Sequence, residues 1–506
     1  MVVGKSGMIE NIVQKYDAVL FDVGNTLVEQ DMTGTNPAGL VPRIKPGVSE
    51  VVAALSGRVM LGVVSNTTEM TSQQLAVHLD TVGIKQHLHT ILATADLGVH
   101  KPDPTPMRIA LESVGVRGNR ALYVGDNESD RIAAVGAGMD FCYAGPDLVH
   151  ALTRFSREPA SAVSRAVNMP VRPDDDFAAR FRTRLDQLAK PLGSLGRLEH
   201  FASRIAAIQC TEHPVADPCA VAILCADHGI AADDTVTPWP QAISGVMAST
   251  IAAGKATSSV FAEMSDVYVE VLDVGLLATD LDLRVRREKV CEGTRDVRSG
   301  STMTKAEVLA ALEVGASTAE RLIAGGSRLL CVGEVGMGNT TSAAALISHL
   351  CGIDPRMATG RGAGIDDETL HRKRGVVADA VDRLRSLTDP VSIAEVVGGA
   401  EIVAMAGFIV AAASLRTPVL LDGVVTQAAA CLAREIAPQS IQACLAAHRS
   451  AEPASTGALA HLGLHPILDL DLRLGEGTGA LLAVPLLRAA CGVVGRVATL
   501  ADLGAA

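Results

Sequence analysis

The fold is decided by the stretch Leu329–Leu346, which reads Leu-Leu-Cys-Val-Gly-Glu-Val-Gly-Met-Gly-Asn-Thr-Thr-Ser-Ala-Ala-Ala-Leu. An apolar run typical of a buried strand gives way to three glycines and then to helix-forming residues. Such a turn exposes backbone N–H groups at the positive end of the helix dipole, which suits a phosphate. The alternative is a tight strand-to-helix turn without a ligand. Potential N-cap residues at 339–341 favour the phosphate.

The spacing of the glycines limits which class of phosphate ligand the loop can bind. No Gly-Lys-Ser/Thr follows, as in a nucleoside triphosphate loop, and the glycines do not fit the dinucleotide pattern Gly-x-Gly-x-x-Gly. We therefore predict a phosphorylated small molecule, bound through Gly336, Gly338, Asn339 and Thr340.

Composition excludes several classes of protein. The chain has 506 residues, 48% of them hydrophobic, so it is too apolar to be disordered and long enough for two or three domains. Its net charge of −12 and its aromatic content of 3% argue against a nucleic-acid partner. Its ten cysteines form no Cys-x-x-Cys pair and are typical of buried thiols in a reducing compartment. The apolar stretch Ile402–Ser414 is shorter than the roughly 20 residues that span a bilayer, so we predict a buried helix, a cytoplasmic protein and no membrane partner.

Short apolar runs alternate with helical patterns on both sides of a proline-rich, charged segment. These runs predict strands at 18–21, 60–64 and 121–124 in the first half, and at 220–226, 267–274, 329–332 and 418–422 in the second. This alternation predicts an α/β protein made of two doubly wound, Rossmann-like units with parallel sheets. We place an N-terminal domain at residues 1–148, a linker, with or without one short helix, at 149–175, and a C-terminal domain at 176–506.

Polar residues follow three of the N-terminal strands. They are Asp22 after the first strand, Ser65 after the second, and Asp126 with Asp130 after a third, while Lys101 lies between the last two motifs. Parallel sheets bind ligands at the carboxyl ends of their strands, so these side chains should converge on one crevice. A carboxylate there can attack phosphorus, others can hold Mg²⁺, and the lysine can neutralise phosphoryl oxygens.

These motifs, in this order, resemble the haloacid dehalogenase superfamily over about residues 16–145. The resemblance implies that Asp22 is a nucleophile, that Ser65 and Lys101 contact the transferred phosphoryl group, and that Mg²⁺ is the cofactor. It assigns the ion to Asp22, Asp126 and Asp130.

One position departs from the superfamily pattern. Its phosphatases usually carry a second aspartate two places after the nucleophile as general acid and base, and here that position is Gly24. Members without this acid include dehalogenases and phosphonate-cleaving enzymes. The short gaps between the motifs also leave little or no room for a cap domain.

The C-terminal half carries a second ordered set of motifs. In chain order they are Lys190–Glu199, Ala226–Ala231, Trp239–Gln241, Asp273–Gly275, Gly293–Asp296, Gly333–Thr341, Gly360–Asp367, Leu421–Gly423, His448–Pro453 and Leu472–Ala480. Together they resemble the nicotinate-nucleotide:dimethylbenzimidazole phosphoribosyltransferase family, over essentially the whole C-terminal unit.

The resemblance implies a glycosyl (pentosyl) transfer. The family displaces nicotinate from nicotinate mononucleotide by a benzimidazole nitrogen, which gives α-ribazole 5'-phosphate, the lower-ligand nucleotide of cobalamin. Glu476 stands in a glycine-flanked turn and is assigned as the general base, whose pKa an apolar base pocket would raise. No metal or other cofactor is expected for the transfer, because the nicotinate ring is already cationic in the substrate and so leaves readily with the bonding electron pair.

Further substrate contacts follow from the same resemblance. Lys373 is assigned to the 5'-phosphate, Ser450 to the nucleotide and Gln241 to the benzimidazole. Glu334 is assigned to the nicotinate side, or to orienting the ribose hydroxyls and loop amides. His228 is expected to have a structural role at a strand end, because no second His or Cys clusters with it.

The fusion suggests linked steps. The first unit would remove the phosphate from α-ribazole phosphate, and the alternative is a non-catalytic scaffold or cap for the transferase. A second alternative is that the C-terminal unit only senses nicotinate mononucleotide. Family membership also implies a homodimer formed through the C-terminal domain and an added helical subdomain in that domain.

Overall fold

The structure is a computed structural model that describes residues 2–29, 43–68, 70–145, 147–149, 151–152, 162–167 and 173–504. It divides into two compact units, Met1–Ala160 and Ser161–Ala506. The division falls inside the segment predicted as a linker, of which 153–161 and 168–172 lie outside the described residues. One short helix in this segment, Ala162–Val167, packs within the second unit against Lys305–Ala324 and Ala400–Ser414. The exact domain bounds stay a prediction.

The N-terminal unit is built on a parallel five-stranded sheet of order β5-β4-β1-β6-β7. A two-stranded antiparallel hairpin, β2 with β3, follows the first strand. The strands are β1 Ala18–Phe21, β2 Val28–Glu29, β3 Arg43–Ile44, β4 Met60–Ser65, β5 Thr90–Ala93, β6 Ala121–Gly125 and β7 Asp140–Tyr143. The chain moves outward from β1 to β4 and β5, then crosses to β6 and β7. The carboxyl end of β1 is therefore the switch point at which such sheets bind ligands.

Helices cover this sheet. They are Val2–Lys15, Val48–Leu55, Ser72–Thr81, Thr105–Val114 and Glu128–Gly136. The apolar side chains of β1 and its neighbours are buried, as expected for a sheet covered on both faces.

The C-terminal unit contains a parallel six-stranded sheet of order β10-β9-β8-β11-β12-β13. Its strands are β8 Cys219–Ala226, β9 Tyr268–Gly275, β10 Arg286–Arg287, β11 Leu329–Val335, β12 Val419–Leu421 and β13 Cys444–Ala446. Here the direction reverses between β8 and β11, so the loops after these two strands flank the crevice. Both units are thus doubly wound α/β folds, as predicted.

Fourteen α-helices lie in the described part of the second unit. They are Ala162–Val167, Asp175–Asp186, Arg197–Gln209, Ile243–Ala252, Thr257–Met264, Lys305–Ala324, Asn339–Cys351, Pro355–Ala358, Asp367–Leu384, Pro390–Val397, Ala400–Ser414, Val424–Ile436, Ala454–Leu462 and Thr478–Arg496. The apolar helix predicted near 402–414 is confirmed: every residue of Ala400–Ser414 is buried.

One described helix, Thr478–Arg496, is long and apolar enough to cross a bilayer, and half of its most apolar window is buried. It packs against β11 and against the helices Arg197–Gln209 and Thr257–Met264. This packing on the sheet accounts for its apolar composition.

The glycine-rich turn Gly333–Thr341 differs from its prediction in two details. Strand β11 continues through Gly333 and Glu334 to Val335, so Glu334 belongs to the strand and not to the loop. The helix begins at Asn339, and its N-cap is Gly338 with φ +89° in place of a hydrogen-bonding side chain. Glycine takes this left-handed conformation without strain, which frees the Asn339 side chain for a contact inside the site.

Candidate active site

The loops at the carboxyl ends of β11, β12 and β13 open into one cleft with about 890 Å³ of empty space, part of it open to solvent. Its walls include eight of the predicted site residues, namely Glu334, Gly336, Gly338, Asn339, Thr340, Lys373, Ser450 and Glu476. Apolar side chains also line it, among them Val236, Met247, Val424 and Leu474. A polar end and an apolar wall in one cleft suit a phosphorylated ligand beside a flat ring.

The polar end of the cleft centres on Lys373, whose side chain is fully buried. Its Nζ donates to Oγ1 of Thr340 at 2.7 Å, at the start of the helix Asn339–Cys351. The backbone N–H of Gly362 lies beside the same pair and donates to Glu452 at 2.8 Å. A helix N-terminus, a hydroxyl and an ammonium group thus meet where an anion would sit.

Burial lowers the pKa of Lys373 to about 8, although the nearby Glu452 carboxylate opposes the change. The ammonium group has no carboxylate within ion-pair distance among the described residues. A bound phosphate would supply the missing negative charge and restore the full positive charge of the lysine.

Glu476 lines the same cleft, in the loop before the helix Thr478–Arg496. Its side chain is buried, and its backbone is left-handed at φ +59°, between two glycines that are also left-handed. Ser258 Oγ donates to Glu476 Oε2 at 3.0 Å. Burial raises the pKa of Glu476 and the nearby Asp422 charge adds to this, while the Ser258 hydrogen bond opposes it. A carboxylate with a raised pKa is suited to accept a proton.

Asp422, at the end of β12, holds this loop in place. Its carboxylate accepts backbone N–H groups from Gly477 at 3.1 Å, Gly479 at 2.7 Å and Ala480 at 3.2 Å. It also lies 3.5 Å from Nε2 of His448. Asp422 therefore caps the first turn of the helix that follows Glu476 and holds the Glu476 loop in position.

Gly333 holds the loop from the other side. A Cβ at this position would lie 2.7 Å from Gly477 Cα and 2.8 Å from the carbonyl carbon of Glu476, both backbone atoms that cannot rotate away. We expect Gly333→Ala to displace Glu476 and to lower the kcat of the reaction catalysed in this cleft about 100-fold. Initial rates of that reaction, compared between wild type and variant, would measure the effect. Gly492→Ala, in a helix with nothing within 4 Å of the new methyl group, is the matched control and should leave the rate unchanged.

Glu334 reaches the floor of the cleft from β11. Its Oε2 accepts a short hydrogen bond from Nδ2 of Asn339. Burial raises the pKa of Glu334 to about 8, and the neighbouring carboxylate of Glu401 adds to this. The raised pKa favours the protonated form of Glu334, which would reduce the repulsion expected between a carboxylate and a phosphate in the same cleft.

Below the loop 336–339 lies a buried pair, His228 Nε2 with Glu401 Oε1 at 2.7 Å. Gln241 Nε2 donates to the His228 carbonyl at 2.8 Å and does not line the cleft, so a base contact of Gln241 stays a prediction. Ser450 Oγ accepts the N–H of Glu452 at 3.3 Å and so supports the loop at the phosphate end.

Sequence reasoning missed Ser258, Glu401 and the anchoring role of Asp422. Asp422 lies within one of the ordered motifs, and its signal is the acid-glycine pair directly after a buried strand. Ser258 and Glu401 lie in helices far along the chain from the loops they support, and no local pattern marks them.

In the N-terminal unit, the predicted residues also converge at the carboxyl ends of the strands. Lys101 Nζ is buried and donates to Asp22 Oδ1 at 2.7 Å, to the Val64 carbonyl at 3.1 Å and, in a short contact, to Asp130 Oδ1. Asn66 holds the backbone of Lys101 through two hydrogen bonds. Ser65 ends β4 at the same edge of the sheet.

Three carboxylates of this unit, Asp22, Asp126 and Asp130, bring oxygen atoms within 4.8 Å of one another. Burial raises the pKa of Asp22 to about 6 against the lowering effect of Lys101, and burial also raises the pKa of Asp130. Crowded carboxylates with raised pKa values are stabilised by a cation, so this oxygen donor set fits Mg²⁺. Magnesium binding remains a proposal.

Fold and site together define the class of the C-terminal unit. A doubly wound sheet with a glycine-rich loop at its switch point and a buried glutamate in the same cleft is typical of enzymes that act on phosphorylated substrates. The phosphoribosyltransferase family model matches residues 171–504, and the chain belongs to this family.

Relatives and solved structures agree with this assignment. The nicotinate-nucleotide–dimethylbenzimidazole phosphoribosyltransferase of Salinispora tropica is 42% identical over 337 residues, which cover 63% of this chain and 92% of the relative. The protein of the same name from Mycobacterium avium is 41% identical over 335 residues, 66% of this chain and 95% of the relative. The crystal structure of CobT from Thermus thermophilus is 42% identical, with a TM-score of 0.63, and covers 65% of this chain and 99% of that chain.

The N-terminal unit matches a second family model, described as haloacid dehalogenase-like hydrolase, over residues 38–144. The predicted fold of this unit is therefore confirmed. Asp22 precedes the matched range, so its role as nucleophile stays a prediction.

Proposed function

We propose that the C-terminal unit transfers the phosphoribosyl group of nicotinate mononucleotide to 5,6-dimethylbenzimidazole or a related base. The observation that carries this proposal is the buried Glu476, with its raised pKa, across one cleft from the Lys373 and Thr340 phosphate end. The names of the relatives support the choice of substrates. The products would be α-ribazole 5'-phosphate and nicotinate, and the nucleotide would serve cobalamin synthesis.

The proposed step has one bond formed and one broken. The basic nitrogen of the benzimidazole attacks ribose C1', the bond from C1' to the nicotinate nitrogen breaks, and that electron pair leaves with nicotinate. Glu476 takes the proton from the other benzimidazole nitrogen. Lys373, Thr340 and the amides of the helix N-terminus hold the 5'-phosphate. The step needs no cofactor, because the nicotinate ring is already cationic in the substrate.

Mass spectrometry of the products tests this proposal. Purified protein with nicotinate mononucleotide and a panel of benzimidazoles should give the mass of the corresponding α-ribazole phosphate and free nicotinate. Binding of nicotinate mononucleotide without any product, with every base, would instead favour a sensor that only binds the nucleotide.

We further propose that the N-terminal unit is a Mg²⁺-dependent phosphatase for α-ribazole phosphate. The carboxylate cluster beside the buried Lys101 supports it. Asp22 would attack phosphorus through Oδ2, the oxygen that does not accept from Lys101, while the ester bond between phosphorus and the ribose oxygen breaks and that oxygen takes a proton from water. A second water would then hydrolyse the aspartyl phosphate and release inorganic phosphate. Asp126, Asp130 and the other carboxylate oxygen of Asp22 would hold the ion, which would offset the charge on the phosphoryl oxygens. Gly24 provides no side-chain acid for the leaving alcohol, and this favours the alternative of a scaffold.

Phosphate release from α-ribazole phosphate with Mg²⁺ separates the two alternatives. Full-length protein should release phosphate, and Asp22→Asn should release at least 100-fold less while its transferase rate is unchanged. Equal release by both proteins, at background level, would identify a scaffold. The matched control is Asp17→Asn, an exposed aspartate on the other end of β1.

We also propose a cytoplasmic homodimer. All ten cysteines are free thiols, which suits a reducing compartment. In the C-terminal unit, Met264, Tyr268 and Leu283 are exposed apolar side chains near the β9 and β10 edge of the sheet, where a second copy could bury them. Analytical ultracentrifugation of the full chain should give twice the monomer mass.

A further inference from the structure

A second cleft lies along β13, at the outer edge of the C-terminal sheet. It holds about 1240 Å³ of empty space, part of it open to solvent, and it shares no lining residue with the active-site cleft. Its walls come from the helix Arg197–Gln209, the end of Val424–Ile436 and the end of Ala454–Leu462 with the loop that follows. The active site uses none of these surfaces.

The titratable side chains that line this cleft, apart from the thiol of Cys444, are all basic. They are His200, Arg204, Arg434, His461 and His465. No Asp or Glu is among the described residues that line the cleft, although the chain as a whole carries a net charge of −12. The two arginines bring positive charge into a concave site, which attracts anions. Burial lowers the pKa of His200 and of His461, so these histidines contribute mainly hydrogen-bonding nitrogens.

Both arginines are held in place without being neutralised. Arg204 Nη2 donates to the Gln442 carbonyl at 2.6 Å, and Arg434 Nη1 donates to the His461 carbonyl in a short contact. Each bond uses one of the five N–H groups of its guanidinium. Among the described residues, no carboxylate lies within 4.0 Å of either guanidinium.

The imidazole of His461 is another polar group that lacks a partner. Nε2 of His461 is buried and has no hydrogen-bond partner among the described residues. A buried polar atom without a partner costs free energy, which a bound acceptor or donor would recover. Next to these groups, Phe201, Ile441 and Leu445 supply an apolar wall.

We propose that this cleft is a binding site for a small organic phosphate. The planar guanidinium groups of Arg204 and Arg434 match the oxygens of a phosphate group, and the apolar wall takes the organic part of the ligand. The hydrogen bonds to carbonyls at helix ends give a structural role to one N–H group of each arginine. They do not explain why the same cleft collects three histidines and excludes acids.

The experiment must separate this cleft from the active site, which also binds phosphate. Lys373→Met protein, with its active-site phosphate contact removed, is titrated with AMP and with inorganic phosphate by calorimetry at constant ionic strength. We expect AMP to bind, and the additional changes Arg434→Gln or Arg204→Gln to weaken it at least tenfold. Arg434→Lys keeps the charge but loses the planar fork, and should also weaken binding.

Several outcomes would overturn the proposal. The Lys373→Met protein would fail to bind AMP, or Arg434→Gln and Arg204→Gln would leave AMP binding unchanged. Equal weakening of AMP binding by the control Arg372→Gln, on the exposed face of another helix, would also overturn it. Unfolding midpoints of the unliganded variants check that the fold is intact.

In the wild-type background, Arg434→Gln should keep the transferase rate within twofold, since Arg434 does not line the active site. A change of oligomeric state with Arg434→Gln, without AMP binding, would identify an interface between copies instead.

Discussion

Replacing Glu476 with Gln should lower kcat for phosphoribosyl transfer by about 100- to 10,000-fold, the usual contribution of a positioned general base. The amide has the same shape and can still accept from Ser258, but it cannot take the proton of the attacking base. The KM for nicotinate mononucleotide should change little, because Lys373 and Thr340, and not Glu476, are proposed to hold the phosphate. Initial rates of α-ribazole phosphate formation measure the effect.

The pH profile distinguishes a base from a merely structural residue. The carboxylate form of Glu476 is the active one, so kcat should fall with decreasing pH around a pKa above the ordinary value of 4.5. Ser258→Ala removes a hydrogen bond that lowers this pKa, and should shift the acid limb to higher pH. A Glu476→Gln protein with the full rate would show that another group accepts the proton. Glu368→Gln, on an exposed helix face, is the matched control.

Replacing Lys373 with Met should weaken substrate binding and stabilise the free protein. The loss of one charge-assisted contact to the 5'-phosphate should raise the KM for nicotinate mononucleotide about 10- to 100-fold. The same change removes a buried, unpaired cation, whose pKa of about 8 in the folded state lies below its usual value of 10.5. Steady-state kinetics and thermal unfolding without substrate measure the two effects.

The stability effect has a defined pH window. Below pH 8 both the folded and the unfolded chain hold the proton, so the wild type bears the full cost of the buried charge, on the order of 3 kcal/mol. Between pH 8 and 10.5 the folded protein loses the proton first, and this cost disappears. The variant should therefore have the higher unfolding midpoint at pH 7, with the difference fading near pH 10. Arg372→Met, one residue earlier and ion-paired at the surface, should show neither effect.

Much of the architecture was predictable because strand and helix signals are local. The predicted strands 18–21, 60–64, 121–124, 220–226 and 329–332 each lie within an observed strand or coincide with it. The predicted helix at 402–414 is observed with two further residues at its start. The errors at Glu334 and Asn339 occur where glycine lets a strand run on and a helix start early, so the boundary has no side-chain signal.

The sequence by itself determined which residue types were available for chemistry. Acids and glycines after apolar strands predicted two ligand sites, and those residues do meet at the carboxyl ends of parallel sheets. The order of motifs was enough to indicate the phosphoribosyltransferase family, to which the chain belongs. These features are readable because strand ends are marked locally, by a change from apolar to polar residues.

Only the tertiary structure decided the electrostatic state of the site. Whether Glu334 is a charged or a neutral acid depends on its burial beside Glu401, which is distant from it along the chain. The hold on Glu476 comes from Ser258 and Asp422 on separate elements, and the basic cleft along β13 collects side chains from three helices. Desolvation and charge coupling depend on distance in space, and the linear chain does not record that distance.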